Sequence, residues 1–399
     1  MIKKVHIQNF KAIYKSEPLP FQPFTVFIGN NGTGKSSLME ALRLLQLCVT
    51  EDLNTAFKEW GDLAKVRNYN ASLAQVEVTL TGFRKKFDPI RFFLEAEVSE
   101  KLYQYQAHIN LNEAGDYFVI EHEELLCNEQ PVFIANAIDN DGNGNAIFYN
   151  VQGRDEVQLN YKTNYLLLGL KSSPLEKEEL TAFKAFVENW QFLHLNAHDM
   201  GKPIIQNRIR RNIQLDYTGR NVAEYLLWLR SQGQEYLDSL IRKMLFVLPY
   251  IKEIQPNIQD TFNREIEVLM LEESPKSTPL PGWLLSSGTL RVIALLAMFE
   301  TPKKPSVLFI DEVENGLDPR TVGLLLEQIE REFTERSMQI IVTTHSPYFL
   351  DMVPLSAVIV CEKMAEGSSF VIPSSQESLD VWKTKFSPGK LYTMGKLTS

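Results

Sequence analysis

Gly29-Asn30-Asn31-Gly32-Thr33-Gly34-Lys35-Ser36 sets glycine, lysine and hydroxyl side chains at the spacing G-x-x-x-x-G-K-[ST], which suits a loop wrapped round phosphate oxygens. The glycines let backbone N–H groups approach the phosphates, Lys35 supplies a cation for the β- and γ-phosphate oxygens, and the Ser36 hydroxyl is a ligand for Mg²⁺. Far downstream, Asp311 and Glu312 are adjacent carboxylates with divisible work. Asp311 would hold Mg²⁺, usually through water, and Glu312 would orient or deprotonate the water that attacks a γ-phosphate. His345 has an N–H to offer a γ-phosphate, and Asp318, in Gly316-Leu317-Asp318-Pro319, could link two nucleotide sites across a dimer. In Leu285-Ser286-Ser287-Gly288-Thr289-Leu290-Arg291, Ser286 is placed to cap a helix. The free N–H groups and positive dipole end of that helix suit the γ-phosphate of a nucleotide held by another subunit.

Each of these residues needs an element to aim it. Phe24 to Ile28 is a short apolar run rich in β formers, and Ser37 to Leu45 has apolar residues at helical spacing. The loop therefore joins a strand to a helix, with the anion on the helix N-terminus. Ser306 to Ile310 and Gln339 to Thr344 read as buried strands that end at Asp311 and His345, and Val292 to Phe299 is the apolar body of a helix. Taken singly, each stretch has a plain alternative: a Gly-rich turn, a solvated acidic turn, a capped core helix, a structural histidine. Their order along one chain favours the chemical reading.

That order resembles the ABC-type ATPase heads of the SMC, RecF and OLD proteins. The opening Val5-His6-Ile7-Gln8-Asn9-Phe10-Lys11 resembles the first strand of those heads, and Asp311-Glu312-Val313-Glu314-Asn315-Gly316-Leu317-Asp318-Pro319 is similar to the acidic segment of stand-alone bacterial AAA-family ATPases of the RecF/OLD/SMC-like group. The likeness is clearest over residues 1–50 and 280–350 and fainter over 214–226. It implies an α/β fold, a P-loop NTPase with an ABC-type ATPase head, to which the strand-like and helical runs between the two matching stretches add an antiparallel β arm and a helical subdomain. ATP and Mg²⁺ are the implied cofactors. Asn30, Asn31, Gly32, Thr33, Gly34, Lys35, Ser36 and Ser37 would surround the phosphates, with Ser36 and Asp311 on the metal. Lys35, Glu312 and His345 would be catalytic, His345 as γ-phosphate sensor, while Ser286, Gly288 and Asp318 would serve the partner's nucleotide. The implied function is ATP hydrolysis that couples nucleotide state to assembly or activation of a complex, in anti-phage defence or DNA repair. The implied partners are a second copy, forming a dimer or higher oligomer through an ATP sandwich, and a separate effector such as a nuclease. Two departures stand out. The usual Gly-Gly-Gln of the signature is Ser287-Gly288-Thr289 here, and Gln75 lies in a run that alternates like an ordinary half-buried strand rather than a glutamine loop.

Composition bounds the rest. A chain of 399 residues with 44% hydrophobic content has core enough for about two or three domains. The expected division is 1–75 and 261–399 as the two parts of the head, 76–170 as the β arm and 171–260 as the helical subdomain. The arm rests on strand-like runs at Val76 to Leu80, Ile90 to Glu97, Tyr103 to Leu111, Tyr117 to Glu121 and Ala146 to Val151, the helical part on Glu176 to Trp190 and Val222 to Val247. No heptad run is long enough for an SMC-style arm, so a compact, head-only molecule is expected. No apolar stretch approaches the roughly twenty residues of a spanning helix and no signal peptide opens the chain, which points to cytoplasm and no membrane. Cys48, Cys127 and Cys361 are too scattered for a disulfide framework or a zinc hook.

A net charge of −9 argues against non-specific DNA binding by the whole surface. Local nucleic-acid binding through Lys202 and Arg208-Ile209-Arg210-Arg211 stays open beside a solvated basic loop. After His345 the sequence suggests strands at Ala357 to Glu362 and Phe370 to Pro373 and a helix at Glu377 to Phe386, too little for the nuclease domain of OLD-type proteins. Two other functions compete: a regulatory module that holds ATP without meaningful turnover, against which Glu312 speaks, and the ATPase subunit of a transporter, against which the opening strand and the β arm speak.

Overall fold

Period-two alternation in Ile90–Val98 sends Ile90, Phe92, Leu94 and Ala96 to a buried face and leaves Arg91, Phe93 and Glu95 partly covered. In the computed structural model this strand belongs to a nine-stranded sheet. The structure describes residues 1–399 except 73–74, 80–81, 113–116, 139–142, 150–155, 163, 171–176, 206–212, 260–264, 273–277, 336–337, 376–384 and 398–399. The described chain forms two units: Met1–Trp190 with Leu355–Val381 and Gly395–Ser399, and Gln191–Pro354 with Trp382–Met394.

In the first unit the large sheet runs Glu156–Lys162, Asn143–Tyr149, Gln130–Ala137, Phe118–Cys127, Lys101–Leu111, Ile90–Val98, Ile2–Phe10 and Ile13–Lys15, with Leu19–Pro20 also paired to Ile2–Phe10. Its pairs are antiparallel, as hairpin connections allow. Four of the five expected arm strands lie in this sheet, joined by Gln130–Ala137, Glu156–Lys162, the opening strand Ile2–Phe10 and the short Ile13–Lys15 and Leu19–Pro20. Gln75–Thr79 pairs with Gly82–Lys86 in a separate hairpin, so Gln75 opens a strand.

Phe183 of the helix Glu178–Glu188 closes the buried face of the sheet, its ring 5.2 Å from Tyr103 and 5.7 Å from Tyr105. Glu123 is fully buried on that face; it accepts hydrogen bonds from Leu167 N (2.6 Å), Leu168 N (3.0 Å) and Tyr105 Oη (2.9 Å). Three donors offset part of the cost of burying a carboxyl. The same unit holds Phe24–Ile28, buried along its whole length, parallel to Val358–Lys363, which pairs antiparallel with Ser368–Val371. The expected strands at Ala357 to Glu362 and Phe370 to Pro373 correspond to this pair.

The second unit carries Val307–Ile310 parallel to Gln339–Thr344, both fully buried, as near-continuous apolar runs require. A smaller antiparallel sheet contains Ile204–Ile205, Glu265–Glu272, Ile251–Ile258 and Leu280–Pro281. The helical run expected over Val222 to Val247 is two helices, Val222–Gln232 and Gln234–Val247, broken at Gly233. Ser287–Phe299 and Pro319–Glu335 follow. Lys243 lies 2.6 Å from Glu300 and 2.9 Å from Glu332, a pairing that offsets the burial of both carboxylates. The basic run Arg208 to Arg211 and most of the helix expected over Glu377 to Phe386 lie outside the described residues. Among the described residues no helix is long and apolar enough to cross a membrane.

Candidate active site

In the first unit the buried strand Phe24–Ile28 delivers the chain into the phosphate loop, and the helix Lys35–Thr50 takes it away. Two glycines are needed for space. A Cβ on Gly29 would strike the carbonyl oxygen of Cys361, and one on Gly34, at φ 101°, would strike the Ser368 side chain. Gly32, at φ 77°, differs: a Cβ there would meet nothing within 4 Å, so the crown of the loop is open to a ligand. Gly34 is the N-cap of the helix and provides no side-chain cap, which leaves the helix N-terminus to an anion. Lys35 is buried, its ammonium donating to the carbonyls of Gly29 (2.7 Å) and Asn30 (3.0 Å). The Thr33 hydroxyl donates to Asn30 O at 2.8 Å and tightens the turn. Asn30, Asn31 and Ser36 are exposed and Ser37 is half-buried.

In the second unit Asp311 follows the tip of Val307–Ile310 and is buried. The Thr343 hydroxyl donates to its Oδ1, and His194 Nδ1 lies 3.0 Å from its Oδ2. Glu312 takes a left-handed backbone conformation, φ 51°, rare for a residue with a side chain. Its N–H donates to Thr343 Oγ1 (2.8 Å), and Arg291 Nη1 donates to its carbonyl (3.1 Å). The Glu312 carboxylate lies 3.6 Å from His345 Nε2 and accepts a hydrogen bond from Asn315 Nδ2 at 3.0 Å. His345 N donates to Glu314 Oε1 (2.6 Å). Asp311, Glu312 and His345, predicted from separate stretches, are thus gathered at the ends of two parallel strands.

Ser286 caps Ser287–Phe299 by accepting from Thr289 N at 3.0 Å, and Tyr250 Oη lies 3.1 Å from Thr289 Oγ1. Gly288 lies against Gly316; a Cβ on Gly288 would come 2.7 Å from the Gly316 carbonyl oxygen. The signature segment therefore packs against the loop after the acidic pair. Asp318 caps Pro319–Glu335, accepting from Arg320 N (3.0 Å), Thr321 N (3.1 Å) and Thr321 Oγ1 (2.5 Å), and the Thr321 hydroxyl holds its carboxyl below the usual range. His194 and Arg291 were not assigned roles from the sequence. His194 stacks on Tyr217, ring centroids 5.7 Å apart, and the hydrogen bond to Asp311 raises its pKa above the ordinary imidazole value. Arg291 Nη2 also donates to Leu195 O, tying the signature helix to the strand end that carries His194.

The family model described as "AAA domain, putative AbiEii toxin, Type IV TA system" matches residues 24–351, a span that holds every candidate residue from Asn30 to His345. The chain belongs to this AAA family. Among curated relatives it is similar to the "Retron Ec83 probable ATPase" of Escherichia coli, 22% identical over 87% of this chain and 68% of that protein. It is also similar to the "Retron Vc95 probable ATPase" of Vibrio cholerae serotype O1 biovar El Tor, 19% identical over 91% and 75%. Among solved structures, the Smc head bound to the C-winged helix domain of ScpA aligns with a TM-score of 0.54 and 13% identity, covering 93% of this chain and 97% of that one. The Smc head domain bound to the C-terminal domain of ScpA derived from Pyrococcus furiosus gives 0.52 and 11%, covering 96% and 98%. This member of the AAA family therefore has the fold of an ABC-type ATPase head.

Proposed function

We propose that the chain is a Mg²⁺-dependent ATPase whose nucleotide state governs assembly with a second copy and with a separate effector. The observation that carries this reading is the approach of the Glu312 carboxylate to His345 Nε2, 3.6 Å, beside a carboxylate, Asp311, oriented by Thr343 and His194. The loop N–H groups from Asn31 to Ser36 and the Lys35 ammonium bind the β- and γ-phosphates. The Ser36 hydroxyl and the Asp311 carboxylate are hard-oxygen donors of the kind Mg²⁺ takes, and would hold it with substrate phosphates and water completing its shell. The ion would supply positive charge that neutralises the phosphate oxygens. Glu312 accepts the proton of the attacking water, and His345 donates to the γ-phosphate. Ser286 and Gly288 present a helix N-terminus to the nucleotide of a partner, with Asp318 ordering the adjacent helix.

The two retron ATPases lend support to a role in anti-phage defence with a partner protein; a nuclease is the effector class we favour. The test is phosphate release by the purified chain with ATP and Mg²⁺, together with mass spectrometry of what co-purifies from the native host. Turnover abolished by EDTA is expected. ATP binding with no phosphate release under any Mg²⁺ concentration would replace the enzyme by a regulatory module.

A further inference from the structure

A cleft of about 320 Å³ lies between the helices Gln234–Val247 and Pro319–Glu335 of the second unit. Ser239, Arg242, Lys243 and Phe246 line it from one helix and Gln328, Arg331 and Glu332 from the other. The spacings of three and four residues put each set on one helix face. The charges do not balance within the cleft. Lys243 is shared between Glu300 and Glu332, but neither Arg242 nor Arg331 makes an ion pair or hydrogen bond with another described residue, Asp238 and Glu327 one turn earlier included. Asp238 instead accepts from Gln234 Nε2 at 3.0 Å. Gln328 lines the cleft and is only 3% exposed, and its amide makes no hydrogen bond with another described residue, so its donors are open to a ligand in the cleft. The Phe246 ring, 44% exposed, stands at the rim with the Arg331 guanidinium 5.9 Å from its centroid.

We propose that this cleft binds a phosphate-bearing small molecule with a ring, such as a nucleoside monophosphate, at a site separate from the phosphate loop. The chemistry selects the ligand. Two guanidinium forks, an amide and the Ser239 hydroxyl offer donors from several sides, which matches a tetrahedral dianion better than a planar carboxylate. In a chain of net charge −9, two cations without a counter-charge among the described residues, beside an amide open to the cleft, favour a negatively charged ligand. The volume is at the lower end of small-molecule pockets, about 300 Å³ upward, and leaves room beyond one phosphate group for a ring to stack on Phe246.

Calorimetry on the full chain tests the proposal, with Mg²⁺ and a saturating non-hydrolysable ATP analogue present to occupy the phosphate loop, and with AMP, inorganic phosphate and adenosine as probes. AMP is expected to bind, and phosphate to compete with it. Arg242→Gln with Arg331→Gln, both exposed positions that leave the packing alone, should weaken AMP by about tenfold or more, the scale of one lost charge-assisted hydrogen bond. Gln328→Met, which keeps the volume and removes the amide, should weaken it in the same direction. Steady phosphate release by the arginine double variant should match the parent. Adenosine binding as well as AMP, AMP affinity unchanged in the double variant, or no AMP binding at all would each overturn the site. Because the arginine comparison reports on the cleft alone, a chain that fails to bind the ATP analogue sinks the ATPase reading without touching this one.

Discussion

Glu312 sits at φ 51°, a conformation that costs a non-glycine residue on the order of 1 kcal/mol or more, and three contacts hold it there. Thr343 Oγ1 receives its N–H, Arg291 grips its carbonyl, and Asn315 steadies its carboxylate. Such strain at a strand tip aims the side chain towards His345 and fits a residue whose position matters more than its comfort. Glu312→Gln should keep ATP bound while turnover falls by roughly a hundredfold or more, the scale of a lost acid–base group. Phosphate release at the parental rate would remove Glu312 from catalysis. Lys35→Ala makes the complementary change: it removes the cation, which donates to the loop carbonyls of Gly29 and Asn30, and calorimetry should show weaker ATP binding by a chain that still folds. Unchanged affinity would leave the loop as no more than a turn. These residues were legible because their signal is local, a glycine-lysine-serine spacing or a pair of acids after a strand. His194 was not, since its meaning comes from Asp311, 117 residues away in the chain.

At the level of elements, apolar alternation and helical spacing located most strands and helices, and the failures have physical causes. Gln130–Ala137 carries Pro131 and shifts register there against Phe118–Cys127, so the pattern that marks a strand is interrupted. Val222 to Val247 keeps helical spacing of apolar residues through Gly233, where the backbone leaves the helix. Glu123 shows what alternation cannot reveal, a carboxyl on the buried face of a sheet. Burial pushes its pKa up from 4.5 to about 7, against the pull of its donors Leu168, Leu167 and Tyr105. A carboxyl whose folded pKa exceeds its unfolded one keeps its proton longer in the native state, so between pH 4.5 and about 7 the native state binds more protons and stability falls as pH rises. The full effect is on the order of 3 kcal/mol at about 1.4 kcal/mol per pKa unit. Denaturant titrations of the parent should therefore show a downward slope across that window, and Glu123→Gln should flatten it. An equal slope in both proteins would assign the pH dependence to other groups.

For the whole molecule, the division of labour runs through the chain rather than along it. The phosphate loop belongs to one unit, while Asp311, Glu312, His345 and the Ser286 cap belong to the other. A family match over residues 24–351 embraces both, whereas the sequence motifs carry the likeness clearly only at its two ends, over residues 1–50 and 280–350. What order cannot convey is which copy of the chain completes which site. If Ser286 and Gly288 serve the nucleotide on a partner's loop, two protomers form two composite sites, each taking one half from each chain. Lys35→Ala should then disable the loop half, and Ser286→Arg should both remove the cap and crowd the helix N-terminus, so each variant alone hydrolyses ATP poorly. In a mixed dimer one composite site collects both lesions and the other collects neither. Phosphate release in an equimolar mixture should recover part of the parental rate, to about a quarter if protomers exchange at random and sites act independently, since half the dimers are mixed and half their sites intact. A mixture no more active than its components, with mixed dimers demonstrated by native mass spectrometry, would mean that each chain completes its own site.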